Sequence, residues 1–255
     1  MYKFTKSTYF LELYFNNQLI STATGFFIKH NNKMFLITNK HVVTGKHVDT
    51  GDCLDWKNAQ LPNNMKVLEP ITNELIACLE WNESFPQDFW IFAKEEKVDI
   101  AIRNDAQFNE KHINLVEMIG DEDRLVSVTE KLAIVGYPYG KSVSSFFPTY
   151  VTGFLATELN FNYNGLPLFL VDSRTREGQS GSPVYYFLIS GKAYNHRSKS
   201  IDFIFGDEEN PAIKRFLGIY SGRISKESDL GRVWKVDAII SILDSIDKND
   251  GSESD

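Results

Sequence analysis

The stretch from Glu177 to Pro183 places Ser180 between two glycines, directly before an apolar and aromatic run. A serine hydroxyl becomes a nucleophile when a base removes its proton and backbone N–H groups stabilise the resulting oxyanion. Without a Cβ, Gly178 can adopt backbone angles that aim its own N–H and that of Ser180 into one small cavity. The segment therefore predicts a nucleophile with an oxyanion hole, although a plain tight turn before a strand would also fit these residues.

Two further segments supply groups that could activate such a serine. His41 follows the apolar residues 35–37 and precedes two valines, which makes it the candidate general base. Asp99 interrupts an apolar alternation that otherwise predicts a buried strand. A buried carboxylate needs a partner, and an imidazole N–H would satisfy it while fixing the tautomer of the base. Together with the serine, these residues predict an acyl-transfer triad.

The order of the three residues along the chain discriminates between folds. Histidine, then aspartate, then serine is the order of the double β-barrel type, whereas the α/β-hydrolase and subtilisin types run differently. Three segments resemble the histidine, aspartate and serine motifs of trypsin-like (chymotrypsin-fold) serine peptidases: 38–42, 98–102 and 178–184. The chain is thus similar to that family, and to its intracellular bacterial members. The resemblance implies a serine endopeptidase that works through an acyl-enzyme.

The same resemblance implies an all-β fold of two six-stranded antiparallel β-barrels followed by a C-terminal α-helix. Composition agrees, because the 255 residues include 19 Phe and 11 Tyr and are 42% hydrophobic, which suits one or two cores between pleated sheets. We expect an N-terminal barrel over 1–120, carrying the histidine and the aspartate, and a C-terminal barrel with the helix over 121–247, carrying the serine. An acidic loop at 121–124 would separate them, and the tail at 248–255 is expected to be disordered.

Runs of apolar or alternating residues predict individual strands. They lie at 9–15, 25–28, 34–37, 131–135, 168–171 and 184–187. The long stretch 51–97 is expected to mix strands with surface loops, and 188–215 is expected to form an inserted or elongated hairpin beside the cleft. Apolar residues at helical spacing over 236–243 predict the C-terminal helix.

The segment 216–222 resembles the family's strand that borders the substrate cleft, where an extended peptide binds by adding itself as a strand. This makes Ser221 and Gly222 candidate substrate-binding residues, although Ser221 could equally be part of a turn or of the core. The catalytic site would then lie in the cleft between the two barrels.

Arg174 stands six residues before Ser180. The resemblance implies an aspartate there, at the base of the pocket, in peptidases that cut after Lys or Arg. The reversed charge, with Arg176 and Arg223 as possible helpers, predicts a preference for Asp, Glu or a polar residue before the scissile bond. The alternative is that Arg174 points to solvent or pairs with Glu177.

The lack of targeting signals predicts a cellular location, and the composition argues against several classes of partner. The first residues lack a secretory signal and no run approaches about 18 apolar residues, so we expect a cytoplasmic protein that does not bind a membrane. Cys53 and Cys78 are too few for a disulfide framework and are expected to be free thiols. The formal charge of -7 argues against a nucleic-acid partner. Scattered histidines and the lack of a phosphate-binding loop predict neither a metal nor a cofactor.

Control and biological role are expectations from the resemblance. Gln179 precedes the nucleophile, whereas zymogen-activated members have an aspartate there, so activation by a newly cut N-terminus is not expected. We expect a narrow protein or peptide substrate, control by a regulatory protein partner, and a role in bacterial stress or antiviral (phage) defence. Two other functions are open: a catalytically silent trypsin-like fold that binds peptides, and a serine esterase or acyl transferase with the same triad.

Overall fold

Strands make up most of the regular secondary structure in the computed structural model. It describes residues 3–55, 57–109, 113–117, 126–140, 147–195, 197–207 and 213–250. The strands of the first half are β1 (Thr8–Phe15), β2 (Gln18–His30), β3 (Lys33–Thr38), β4 (Asn64–Leu68), β5 (Leu75–Glu80), β6 (Ile91–Phe92) and β7 (Ala101–Arg103). Those of the second half are β8 (Lys131–Gly136), β9 (Thr149–Leu155), β10 (Leu168–Ser173), β11 (Pro183–Leu188), β12 (Gly191–Asn195), β13 (Ser200–Ile204), β14 (Ile213–Arg223) and β15 (Leu230–Lys235). The α-helices are α1 (Lys3–Lys6), α2 (Lys40–Thr44) and α3 (Val236–Asp250). Short 3₁₀ turns lie at Pro86–Asp88, Pro138–Gly140 and Tyr163–Gly165.

The first seven strands form one antiparallel sheet in the order β5-β4-β1-β2-β3-β7-β6. Within the described residues no pairing joins the two edge strands β5 and β6, so this sheet is not a closed barrel. The expected six-stranded N-terminal barrel is therefore corrected to an open, seven-stranded half-barrel. The stretch 51–97 supplies three strands of this sheet, β4, β5 and β6, between loops, as expected.

The second half contains a closed six-stranded barrel in the order β10-β15-β14-β11-β8-β9. Its strands pair antiparallel throughout. This confirms the predicted six-stranded C-terminal barrel, and the predicted strands at 131–135, 168–171 and 184–187 lie in β8, β10 and β11. The boundary loop expected at 121–124 lies outside the described residues.

Three large apolar clusters fill the molecule. One consists of buried residues of the N-terminal half, and another fills the interior of the barrel. The third is shared, because it joins buried residues of β2 and β3 to residues of the barrel and of α3. Phe26 of β2 and Phe216 of β14 meet edge to face within it, with ring centroids 5.4 Å apart. The two sheets are therefore packed into one body, which fixes groups at their junction relative to each other.

The C-terminal helix is confirmed as α3, whose buried residues Ile239, Ile242 and Leu243 face the shared cluster. The helix extends to Asp250, three residues into the tail that we expected to be disordered, and residues 251–255 lie outside the described part. None of the helices in the described ranges has the length and apolar character that a membrane crossing requires.

A separate two-stranded hairpin, β12–β13, confirms the hairpin expected within 188–215. It leaves the barrel after Leu188, the end of β11 that lies opposite Ile213 of β14. Ser180 precedes the other end of β11, at Pro183, and five residues of strand span about 16 Å. The hairpin therefore emerges from the end of β11 and β14 away from the serine, and its position beside the cleft stays a prediction.

Candidate active site

Ser180, His41 and Asp99 meet although they come from distant parts of the chain. The Ser180 hydroxyl lies 2.9 Å from His41 Nε2, and His41 Nδ1 lies 2.6 Å from Asp99 Oδ2. The backbone N–H of His41 also donates to Asp99 Oδ1 at 2.8 Å. An unbroken chain of hydrogen bonds thus leads from the serine oxygen through the imidazole to the carboxylate.

The histidine is positioned by a short helix that directly follows a buried strand. β3 ends at Thr38, and α2 starts after Asn39 and is closed by Gly45, whose N–H donates to the His41 carbonyl. Asn39 is fully buried and its side-chain amide donates to the Asp99 carbonyl at 2.7 Å. Asn39 thereby links the histidine turn to the segment that carries Asp99 and leads into β7. The sequence had shown it only as a polar step before the histidine.

Asp99 is buried, and its carboxylate accepts three hydrogen bonds. Two come from His41 and the third from the Ser221 hydroxyl, at 2.6 Å. Burial raises the pKa of Asp99, but the nearby His41 charge and the hydrogen bonds from His41 and Ser221 outweigh it, so the pKa lies below its ordinary value of 3.8. The group is therefore held as a carboxylate. Ser221, predicted to bind substrate, thus contacts the aspartate through its side chain.

The nucleophile turn depends on two glycines with positive φ. Gly178 has φ 91° and Gly181 has φ 87°, in the region that other residues rarely adopt. Neither the N–H of Gly178 nor that of Ser180 has an acceptor among the described residues. Two unused backbone donors beside the serine oxygen are what a developing oxyanion needs.

Thr24, which sequence reasoning missed, holds this turn from the opposite sheet. Its N–H donates to the Ser180 carbonyl at 2.9 Å. Its hydroxyl donates to the Gly178 carbonyl at 2.9 Å and accepts from the Tyr137 N–H at 3.2 Å. One side chain of β2 therefore links the nucleophile turn to the end of β8. Nothing in its surroundings along the chain distinguishes Thr24 from other hydroxyl residues of an alternating strand.

A second contact fixes the peptide that carries the Gly178 N–H. The Tyr139 N–H donates to the Glu177 carbonyl at 2.6 Å. Because the carbonyl and N–H of a trans peptide point in opposite directions, this bond turns the Gly178 N–H away from Tyr139. A side chain on Gly178 would collide with the Tyr137 carbonyl and lie 2.9 Å from the Gly140 nitrogen. Only glycine fits at this position.

The three arginines predicted to help select the substrate lie at the surface. Arg174, Arg176 and Arg223 are all exposed. The buried residue next to them is Thr175, whose hydroxyl is hydrogen-bonded to that of Tyr220. The expectation that Arg174 lies at the base of a pocket is therefore not met, because the segment turns this side chain outward and its neighbour inward.

The strand that borders the serine has an unpaired edge. β14 pairs with β15 as far as Arg223, but its pairing with β11 ends at Ile219. No described strand covers the other edge of Ser221, Gly222 and Arg223. Gly222 has open space where a side chain would lie. An extended peptide could add to this edge within reach of the serine.

Among the described residues no three His, Cys, Asp or Glu side chains are grouped as metal ligands. Cys53 and Cys78 form no disulfide, as expected.

No protein-family model matches the chain, and no curated protein matches it by sequence. Solved structures do match its fold. The active form of the Rv3671c protease from M. tuberculosis superposes with a TM-score of 0.53 at 15% identity, over 94% of this chain and 80% of that one. A serine endoprotease from Yersinia pestis gives a TM-score of 0.55 at 12% identity, over 94% of this chain and 62% of that one. The chain therefore shares the fold of these serine proteases.

Proposed function

We propose that the protein is a serine endopeptidase whose catalytic residues are His41, Asp99 and Ser180. The observation that carries the proposal is the hydrogen-bonded chain from Ser180 Oγ through His41 to Asp99, beside two backbone N–H groups that have no acceptor among the described residues. The fold shared with serine proteases supports it. If this buried turn had only a structural role, the N–H groups of Gly178 and Ser180 would be expected to donate to acceptors within the protein.

The geometry suits a two-step acyl transfer. His41 Nε2 takes the proton of Ser180 as its oxygen attacks the carbonyl carbon, and the oxyanion accepts bonds from the N–H groups of Gly178 and Ser180. Collapse of this intermediate breaks the C–N bond, and the leaving amine takes the proton from His41. Water, deprotonated in turn by His41, then hydrolyses the acyl-serine. Asp99 stays ionised, holds Nδ1–H and stabilises the imidazolium.

The substrate in this proposal is an extended protein segment that adds to the free edge of β14 at Ser221, Gly222 and Arg223. Ile224, the residue after this edge, lines a cavity of about 260 Å³ together with Lys97 and Trp234. This cavity would receive a side chain further along the peptide from the scissile bond. Gly222 would bind substrate through its backbone, and Ser221 would act mainly through its bond to Asp99.

Several finer features stay predictions. The exposed Arg174 would have to meet an acidic substrate residue at the rim of the cleft rather than at the base of a pocket. The division into an N-terminal part over 1–120 and a C-terminal part over 121–247 is one of these predictions. A regulatory protein partner, a cytoplasmic location and a role in bacterial stress or antiviral defence rest on the family resemblance alone.

The first test is labelling with a fluorophosphonate probe, because a phosphonyl adduct requires an activated serine. We expect labelling of the wild-type protein and none of Ser180→Ala or His41→Ala. Ser7→Ala is a matched control, since it removes a serine hydroxyl from another part of the fold. A peptide library should then give internal cleavages, which separate an endopeptidase from an esterase. A folded protein that binds peptides without labelling would instead be a silent peptide-binding module.

A further inference from the structure

The space that would receive the side chain before the scissile bond is bounded by described residues. For attack, the substrate carbonyl carbon must lie at Ser180 Oγ and its oxygen at the N–H groups of Gly178 and Ser180. If the peptide runs along the free edge at 221–223, the residue that supplies this carbonyl lies between that edge and the segment leading into the nucleophile turn. Its side chain then points toward Thr175 of that segment and Tyr220 of β14, which are both buried.

The ring of Tyr220 lies between these two segments. Tyr220 is 2% exposed, and its hydroxyl is hydrogen-bonded to the buried Thr175. Gly231 packs so closely on the ring that a Cβ there would overlap it and lie 3.0 Å from the Tyr220 hydroxyl oxygen. Gly231 is paired with Arg223 across the β14–β15 ladder. The ring therefore lies directly behind the edge that would bind the peptide.

The ring is also anchored next to the nucleophile. The Tyr220 N–H donates to the Ser182 carbonyl at 2.8 Å, and its carbonyl accepts from the Gly181 N–H at 2.9 Å. Burial raises the pKa of Tyr220 to about 12, against the smaller opposing effects of the Thr175 hydrogen bond and the Arg223 charge. The phenol thus stays neutral at physiological pH and offers no charge to a substrate side chain.

We propose that Tyr220 closes this pocket and restricts the residue before the scissile bond to small side chains, namely Gly, Ala or Ser. The inference rests on the proposed peptidase function and names its substrate class. A large side chain would have to displace the ring and break its hydrogen bond to Thr175, whereas a methyl group need not enter the occupied space. An acidic residue recognised by Arg174 would then occupy another position of the peptide.

The test compares two peptidyl diphenyl phosphonates that differ only in the residue at the reactive phosphorus, alanine or phenylalanine. Both phosphonylate an activated serine, so their rates report how each side chain fits. We expect the alanine compound to react with the wild-type protein about 10-fold faster or more, the range that one misfitted apolar group gives in enzyme pockets. Fluorophosphonate labelling of the same sample measures serine reactivity without a side chain in this space.

Two variants distinguish the effect of the Tyr220 ring on this preference from the effect of its hydroxyl. Tyr220→Phe keeps the ring and should keep the preference for alanine, whereas Tyr220→Val opens the space and should reduce or reverse the ratio. The ratio of the two phosphonylation rates in the wild-type protein tests the proposal even if Tyr220→Val does not fold. A wild-type protein that is labelled by fluorophosphonate but reacts as fast or faster with the phenylalanine compound, or with neither, overturns the inference alone. Failure of fluorophosphonate labelling would overturn the proposed function, and the inference with it.

Discussion

At the residue scale, the carboxylate of Asp99 decides which nitrogen of His41 carries the proton. It accepts the Nδ1–H, so Nε2 is free to accept from Ser180. In Asp99→Asn the amide can present N–H to Nδ1, which favours the opposite tautomer. We expect serine phosphonylation to slow by about 10⁴-fold, the loss seen when this group is neutralised in related triads. Asp105→Asn is the matched control, because Asp105 is also a carboxylate with a lowered pKa, held by Arg103 away from the site.

The same carboxylate gives a prediction for stability against pH. Its pKa is lower in the folded chain, so its stabilisation is fully present above the ordinary value of 3.8 and is lost as pH falls through the lower folded value. Urea unfolding should therefore show a constant stability difference between wild type and Asp99→Asn near neutrality, and a shrinking difference below pH 3.8. Parallel curves down to pH 2.5, on the order of one unit below that value, would contradict the assigned direction.

At the element scale, β2 supports the nucleophile turn through Thr24. In Thr24→Val the shape is kept, but the Gly178 carbonyl and the Tyr137 N–H lose their partner. We expect a stability loss of about 1–3 kcal/mol for the unsatisfied groups. We also expect kcat to fall by roughly 10-fold or more with KM unchanged, because small displacements of reacting groups cost rate. Thr24→Ser should restore both. Loss of stability without a change in kcat would reduce Thr24 to a purely structural residue.

The sequence could predict elements whose pattern is local. The strands at 25–28 and 34–37 and the helix over 236–243 follow from apolar spacing, and the chemistry of the triad limited its residue types to a few candidates. Features that depend on partners distant in the chain could not be predicted. The open seven-stranded sheet depends on how β6 docks at an edge, and the roles of Thr24 and Tyr220 depend on contacts between elements far apart in sequence.

At the scale of the whole molecule, the site exists only while the two sheets are docked. His41 and Asp99 belong to the N-terminal half, while Ser180 and its N–H donors belong to the barrel side. The shared cluster that joins the halves includes the edge-to-face pair of Phe26 and Phe216. A core that spans both sheets predicts cooperative unfolding of the two halves together, with loss of serine reactivity in the same transition.

We expect Phe26→Ala and Phe216→Ala each to lower the free energy of unfolding by about 3–5 kcal/mol, because each empties a buried site. Their double variant should lose less than the sum, by about 0.5–1.5 kcal/mol, since the two rings contact each other. Phe169→Ala is the matched control: this ring is equally buried but lies in the barrel interior, so its effect on stability should add to that of Phe26→Ala.

Urea unfolding followed both by tryptophan fluorescence and by fluorophosphonate labelling should give one midpoint per variant. Separate midpoints would mean that the halves unfold independently. Additive effects of Phe26→Ala and Phe216→Ala would mean that this ring pair does not couple the two halves.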